Sequence, residues 1–191
     1  MVECCRCFSL PEGLPLNPSI GNPGPGVIVL GVFRSGTSLV CQVLHELGVE
    51  FGLDLKEIRG NRNNSGGTFE HRQINQINHQ LLRSASRSFA QPGSPSTLAQ
   101  EADLTLLDEG DLSWIYGVQK WGLKDPRFRA TLSAWIEAGK LKRDALNIVH
   151  GIRDTEAIAR RAHKYPHTSK PFGGSFERIR EGVTEYKRLA E

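Results

Sequence analysis

The sequence predicts an α/β protein, a three-layer α/β/α sandwich on a parallel sheet, and three observations carry that expectation. The runs VIVLGV (residues 27–32) and ALNIVHGI (145–152) are apolar without the polar alternation of a half-exposed strand, the pattern of strands covered on both faces. A third short strand is expected in KWGLKDPR (120–127), cut off by Pro126, which has no N–H for a sheet ladder. A stretch of helical periodicity follows each of them, and strands alternating with helices call for right-handed crossovers and parallel pairing.

The 191 residues, 38% of them hydrophobic, suit one globular domain with a real core. Residues 1–26 contain five prolines and four glycines without any period, so they read as an irregular N-terminal arm, and the domain is expected over 27–191. No run approaches the roughly 18 apolar residues of a membrane span. MVECCRCFSLPEG lacks the basic start and apolar centre of a secretory signal. A membrane partner is therefore not expected, and the expected address is cytoplasmic. A net charge of +3 is too small to announce a nucleic-acid binder. Residues 140–191, however, hold twelve Lys/Arg against seven Asp/Glu, an excess that fits either a small polyanionic ligand or a solvated helical surface. Cys4 and Cys7 have the spacing of a zinc half-site, but no second pair follows. Cys5 is adjacent, Cys41 falls in a predicted helix, and His163 with His167 stands alone, so no metal is expected and the thiols read as reduced.

After the first strand, Leu39, Val40, Val43, Leu44 and Leu47 recur at helical spacing and Gly48 offers a stop. GNRNNSGGTFEHRQ (60–73) is a polar, glycine-rich loop running into a second helix whose inner stripe is Phe69, Ile74, Ile77, Leu81 and Leu82. Residues 84–100 read as a mobile connection, and the acid-rich stretch from Glu101 to Asp111 as an exposed segment or short helix. Helices are then expected in ATLSAWIEAGKL (130–141), in TEAIARRAHKY (155–165) and in GSFERIREGVTEYKRLAE (174–191), the last with Phe176, Ile179, Val183 and Tyr186 inward.

Ligands of open parallel sheets sit beyond the carboxyl ends of the strands, so the loop after each strand is a candidate for the site. The first, GVFRSGTS (31–38), joins a strand to a helix N-terminus, where unpaired N–H groups and the positive end of the helix dipole favour a phosphate. Gly31 and Gly36 have the glycine spacing of a Walker A loop, but Thr37 stands where the lysine belongs and the cation is Arg34. That arrangement grips β and γ phosphates poorly. It suits a single 5′-phosphate carrying another anionic group.

VIVLGVFRSGTSLVCQVLHELGV resembles the 5′-phosphosulfate-binding loop of the sulfotransferases, above all their bacterial members and the tyrosylprotein sulfotransferases. Three later blocks fall in the order of that family: GGTFEHRQINQINHQLL with a glutamate ahead of the second helix, WGLKDPRF like its K-D-P segment, and IVHGIRDTEAIARR like its R-D-P strand end. The resemblance spans residues 27–165. It implies the P-loop nucleoside triphosphate hydrolase-like version of the predicted fold and transfer of a sulfuryl group from 3′-phosphoadenosine 5′-phosphosulfate (PAPS) to a hydroxyl or amine of a small-molecule, carbohydrate or peptide acceptor. In these terms Arg34, Ser35, Gly36, Thr37 and Ser38 would hold the 5′-phosphosulfate, Arg34 and Lys124 would neutralise developing charge, and Glu70 would take the acceptor's proton, with His71 as second candidate. Arg153 and Arg161 would hold the 3′-phosphate. Here the sequence departs from the family, with Arg161 at the place of a serine and Thr155 at that of a proline. The family also continues into a further strand and a C-terminal segment, so relative to it the domain is expected to be C-terminally incomplete.

Each of these residues also has a plain structural role open to it. Glu70 could charge a helix N-terminus, Lys124 could be a solvent lysine, and Asp125 could belong to the turn, with Arg127 as an ion-pair partner. Two other functions fit the pattern: a Mg²⁺-dependent P-loop kinase or NTP-binding enzyme, using Thr37 or Ser38 with Asp125, and a catalytically inactive nucleotide-binding domain.

Overall fold

The computed structural model of the chain describes residues 2–3, 24–52, 67–109 and 112–188. Strands β1 (Val2–Glu3), β2 (Gly26–Leu30), β3 (Trp121–Lys124) and β4 (Leu146–Gly151) form one sheet in the order β1, β4, β2, β3. β2 pairs in parallel with β3 on one side and β4 on the other, while β1 lies antiparallel on the outer edge of β4. The architecture is thus mixed α/β around a three-stranded parallel core, and all three apolar runs chosen from the sequence are its strands. The irregular arm needs correcting at both ends: Val2 and Glu3 pair with Gly151 and His150, and Gly26 already belongs to β2. An edge strand of two residues uses only backbone groups and leaves no pattern in the sequence. Cys4, Cys5 and Cys7 lie outside the described residues.

Two strand glycines are needed for packing. A Cβ at Gly26 would lie 2.1 Å from the Trp121 ring, and one at Gly122 would lie 2.8 Å from Phe51. Large rings therefore rest on the strand backbone where side chains would stand, and the Trp121 indole N–H donates to Gly24 O at 2.7 Å.

Period two sorts the β2 side chains to different clusters. Val27 and Val29 pack with Cys41 of helix α1 (Thr37–Glu46) and with Phe51 and Phe69. Ile28 and Leu123 pack instead with residues of α2 (Arg72–Ser84). The periodicity of α1 is correct but its inward face differs: Thr37 and Cys41 are buried, whereas Leu39, Val43 and Leu47 are 65%, 53% and 66% exposed. Phe69 is not on α2. It precedes the helix with φ 55° and buries its ring against Phe51 in the other cluster, while Ile74, Ile77, Leu81 and Leu82 are buried as expected.

The connection read as mobile contains helix α3 (Pro95–Glu101). Ser94 accepts from the Thr97 N–H, Pro95 fills the first turn and Leu98 is buried, a start signal that the surrounding small and polar residues masked. The acid-rich stretch is a 3₁₀ segment, Leu104–Glu109, with Leu107 fully buried, so it is not simply exposed; Asp111 lies outside the described residues. Helix α4 (Phe128–Glu137) is joined to α2 by a buried polar pin: Asn78 Oδ1 accepts from the Thr131 hydroxyl and the Trp135 indole, both at 2.8 Å. β4 is only half-buried, with Ile148 44% exposed, contrary to the expectation of a covered strand.

Helix α5 (Thr155–His163) starts on Asp154, whose carboxylate accepts from the Ala157 N–H. It packs on α6 (Phe176–Arg188) through Ile158, Ala159, Ala162, Ile179, Val183 and Tyr186. No helix among the described residues is long and apolar enough to cross a membrane.

Candidate functional site

The turn after β2 begins with Gly31, where an added Cβ would lie 2.6 Å from the Thr37 methyl and 3.0 Å from Gly151 O. Arg34 has φ 65° and Gly36 has φ 97°, so the chain makes two left-handed steps before α1. Only glycine takes that conformation freely, and holding Arg34 in it costs of order 1–3 kcal/mol. The Ser35 N–H closes the turn onto Val32 O at 3.1 Å. Helix α1 then starts without a side-chain cap and without an acidic residue in its first turn, so the positive end of its dipole is not neutralised from within the helix.

On one flank of the turn stand Lys124 and Glu70. Lys124 ends β3; its ammonium donates to Glu70 Oε1 at 2.5 Å and to Thr68 O at 3.0 Å, and its side chain is 5% exposed. Lys124 is thus not a solvent lysine. The Ser38 hydroxyl donates to the same Thr68 carbonyl at 3.4 Å, which joins the turn to this pair. Asn75 donates to the other carboxylate oxygen of Glu70 at 3.1 Å. Glu70 lies two residues ahead of α2, whose N-cap is His71, and its oxygens go to Lys124 and Asn75 rather than to the helix end. The left-handed backbone at Phe69 sends its ring into the core. His71 stacks on Trp114 with ring centroids 6.4 Å apart.

The other flank gathers arginines. Arg153, just past β4, donates to Arg34 O at 3.2 Å, so the end of one strand holds the turn that follows its neighbour. The Arg34 guanidinium lies over the Tyr165 ring, 4.5 Å from its centroid, and Arg161 lies over the same ring at 5.9 Å. Burial lowers the Arg34 pKa; the nearby Tyr165 opposes that shift and the like charge of Arg161 adds to it. The Lys187 ammonium donates to Arg153 O at 3.1 Å and to the Thr155 hydroxyl at 3.2 Å, which ties the last turn of α6 to the same strand end.

The residues expected from sequence thus fall into two charged groups joined by the turn. Some details differ from expectation. The Ser35 N–H is taken up within the turn, and its hydroxyl is buried without a partner among the described residues. Thr37 is 3% exposed. Arg34 lies along Tyr165. Asp125 pairs with Arg127 at 3.1 and 3.3 Å and accepts the Arg127 N–H at 2.7 Å, so Arg127 is its ion-pair partner. Burial raises the Asp125 pKa to about 6 although Arg127 pulls it down, because the carboxylate is almost entirely removed from water. Burial likewise pushes the Cys41 thiol up to about 12, which leaves it unreactive. Among the described residues no group of three or more His, Cys, Asp or Glu could hold a metal ion.

Three contributors escaped the sequence reading. The Thr68 carbonyl carries no side-chain signal, and Asn75 is an ordinary helix residue until Glu70 is placed beside it. Tyr165 stands four residues after Arg161, a helical spacing that is visible, but its contact with Arg34 depends on how two loops meet. No family model, no curated protein and no solved structure matches the chain.

Proposed function

We propose that the chain is a sulfotransferase that moves a sulfuryl group from PAPS to a hydroxyl or amine acceptor, on the P-loop version of the α/β/α sandwich. The observation that carries this reading is that one turn, at the carboxyl ends of three parallel strands, is flanked by Lys124 with the Glu70 carboxylate on one side and by Arg34 with Arg153 on the other.

The residues present suit such a donor. An uncapped helix N-terminus and Arg34 would hold the 5′-phosphosulfate, and Arg153 with Arg161 would hold the 3′-phosphate. When bound, the donor supplies an activated sulfuryl group on a phosphate leaving group. Glu70 would take the proton of the acceptor hydroxyl, with 3′-phosphoadenosine 5′-phosphate (PAP) as the group that leaves the donor. Lys124 and Arg34 would offset the negative charge of the leaving 5′-phosphate. The products are the sulfate ester and PAP. Asn75 fixes the Glu70 carboxylate through the oxygen that Lys124 does not hold.

The Mg²⁺-dependent kinase reading is less well supported: Thr37 is buried, Ser38 donates to Thr68 O, and the Asp125 carboxylate is turned to Arg127. A panel of phenols, sugars and peptides incubated with labelled PAPS tests the proposal. Transfer to at least one acceptor, strongly reduced in Glu70→Gln, is the expected result. PAP binding without transfer to any member would favour an inactive nucleotide-binding domain.

A further inference from the structure

Tyr165 belongs to no part of the function proposed above, yet both Arg34 and Arg161 lie against its ring. Its backbone is held on both sides: the N–H donates to Ala162 O at 3.1 Å, and the carbonyl accepts from the N–H groups of Thr168 and Ser169, both at 3.0 Å, and from the Thr168 hydroxyl at 2.9 Å. The backbone that carries the ring is therefore held in place where α5 ends. Arg161 comes from the last turn of that helix, Arg34 from the turn after β2, and Arg153 holds the Arg34 backbone from below. The quadrupole of the aromatic face attracts both guanidinium groups, so the ring is a contact that the two like charges share.

We propose that Tyr165 is a positioning residue that ties Arg34 to Arg161 through its ring, so that the two cations respond to a bound nucleotide as one unit. The proposal rests on the nucleotide-binding reading above. With a shared ring, removing one guanidinium changes what the ring does to the other, and the contributions of Arg34 and Arg161 to binding cannot add independently. Without the ring they are two separate cations.

The test is a set of PAP dissociation constants by calorimetry for the full chain carrying Arg34→Ala, Arg161→Ala and both, each with Tyr165, with Tyr165→Phe and with Tyr165→Leu. Thermal unfolding without ligand shows which variants are folded. With tyrosine or phenylalanine present, the two arginine effects should depart from additivity by about fivefold, the size of one cation–π contact. With leucine they should add. The same coupling in all three backgrounds, or none in any, overturns the proposal, whereas a folded wild-type chain that does not bind PAP overturns the nucleotide reading itself.

Discussion

Removing Glu70 should destabilise the fold more than removing its partner does. Lys124 has a side chain that is 5% exposed and, besides Glu70, bonds only Thr68 O among its described hydrogen bonds, whereas Glu70 is 24% exposed and keeps Asn75. Glu70→Ala therefore strands a buried ammonium, at a cost of about 3 kcal/mol, the lower end for breaking a buried pair. Lys124→Ala leaves a carboxylate that water and Asn75 can reach, at a cost of roughly 1–2 kcal/mol. The double variant should fall short of the sum by about 2 kcal/mol, because once both charges are gone neither is stranded. Urea unfolding followed by tryptophan fluorescence measures all four proteins. In thermal unfolding the Glu70→Ala loss corresponds to roughly 6–12 °C for a chain of this size. A Glu70→Ala protein as stable as wild type, or strict additivity, would refute the claim that this pair is buried and coupled.

Burial raises the Asp125 pKa to about 6 from an ordinary value near 3.8, so the folded state binds this proton more tightly than the unfolded chain. The stability from this group is fully present below pH 4 and is lost as pH rises through 6, a change of about 3 kcal/mol. Wild-type stability measured relative to Asp125→Asn should thus decline from pH 4 to pH 6 and level off above, while a rise over that window would mean that Arg127 outweighs burial. Gly26→Ala should cost several kcal/mol, since its methyl would overlap the Trp121 ring at 2.1 Å, and denaturant unfolding will show it as a shifted midpoint. Asn75→Ala should lower turnover about tenfold with PAP affinity unchanged, because Asn75 orients Glu70 and lies on no nucleotide contact proposed here; equal losses in both would point to a general structural role.

How far the sequence could be read depended on whether a feature was local. The apolar runs at residues 27–32 and 145–152 and the stop at Pro126 marked the three parallel strands, because such patterns are written into consecutive residues, although β4 is only half-buried. Arg34, Lys124 and Arg153 stood out for the same reason: each follows or closes a strand. What two helices or loops do to each other was not legible. The inward face of α1 could not be chosen among five apolar residues, and the Leu39, Val43 and Leu47 stripe lies outward. Phe69 fitted the period of α2, but Gly67 at φ 81° and Phe69 at φ 55° turn the chain before that helix begins. The partnerships of Glu70 with Asn75 and of Arg34 with Tyr165 are tertiary contacts and have no signature in either segment alone.

The most direct measurement is the thermal shift of the whole chain with PAP, AMP and ATP, each in EDTA and in Mg²⁺. The proposed function requires PAP to give the largest stabilisation, to give it in EDTA, and to lose most of it in Arg34→Ala and Arg153→Ala. Stabilisation by ATP that depends on Mg²⁺, with none from PAP, would contradict it.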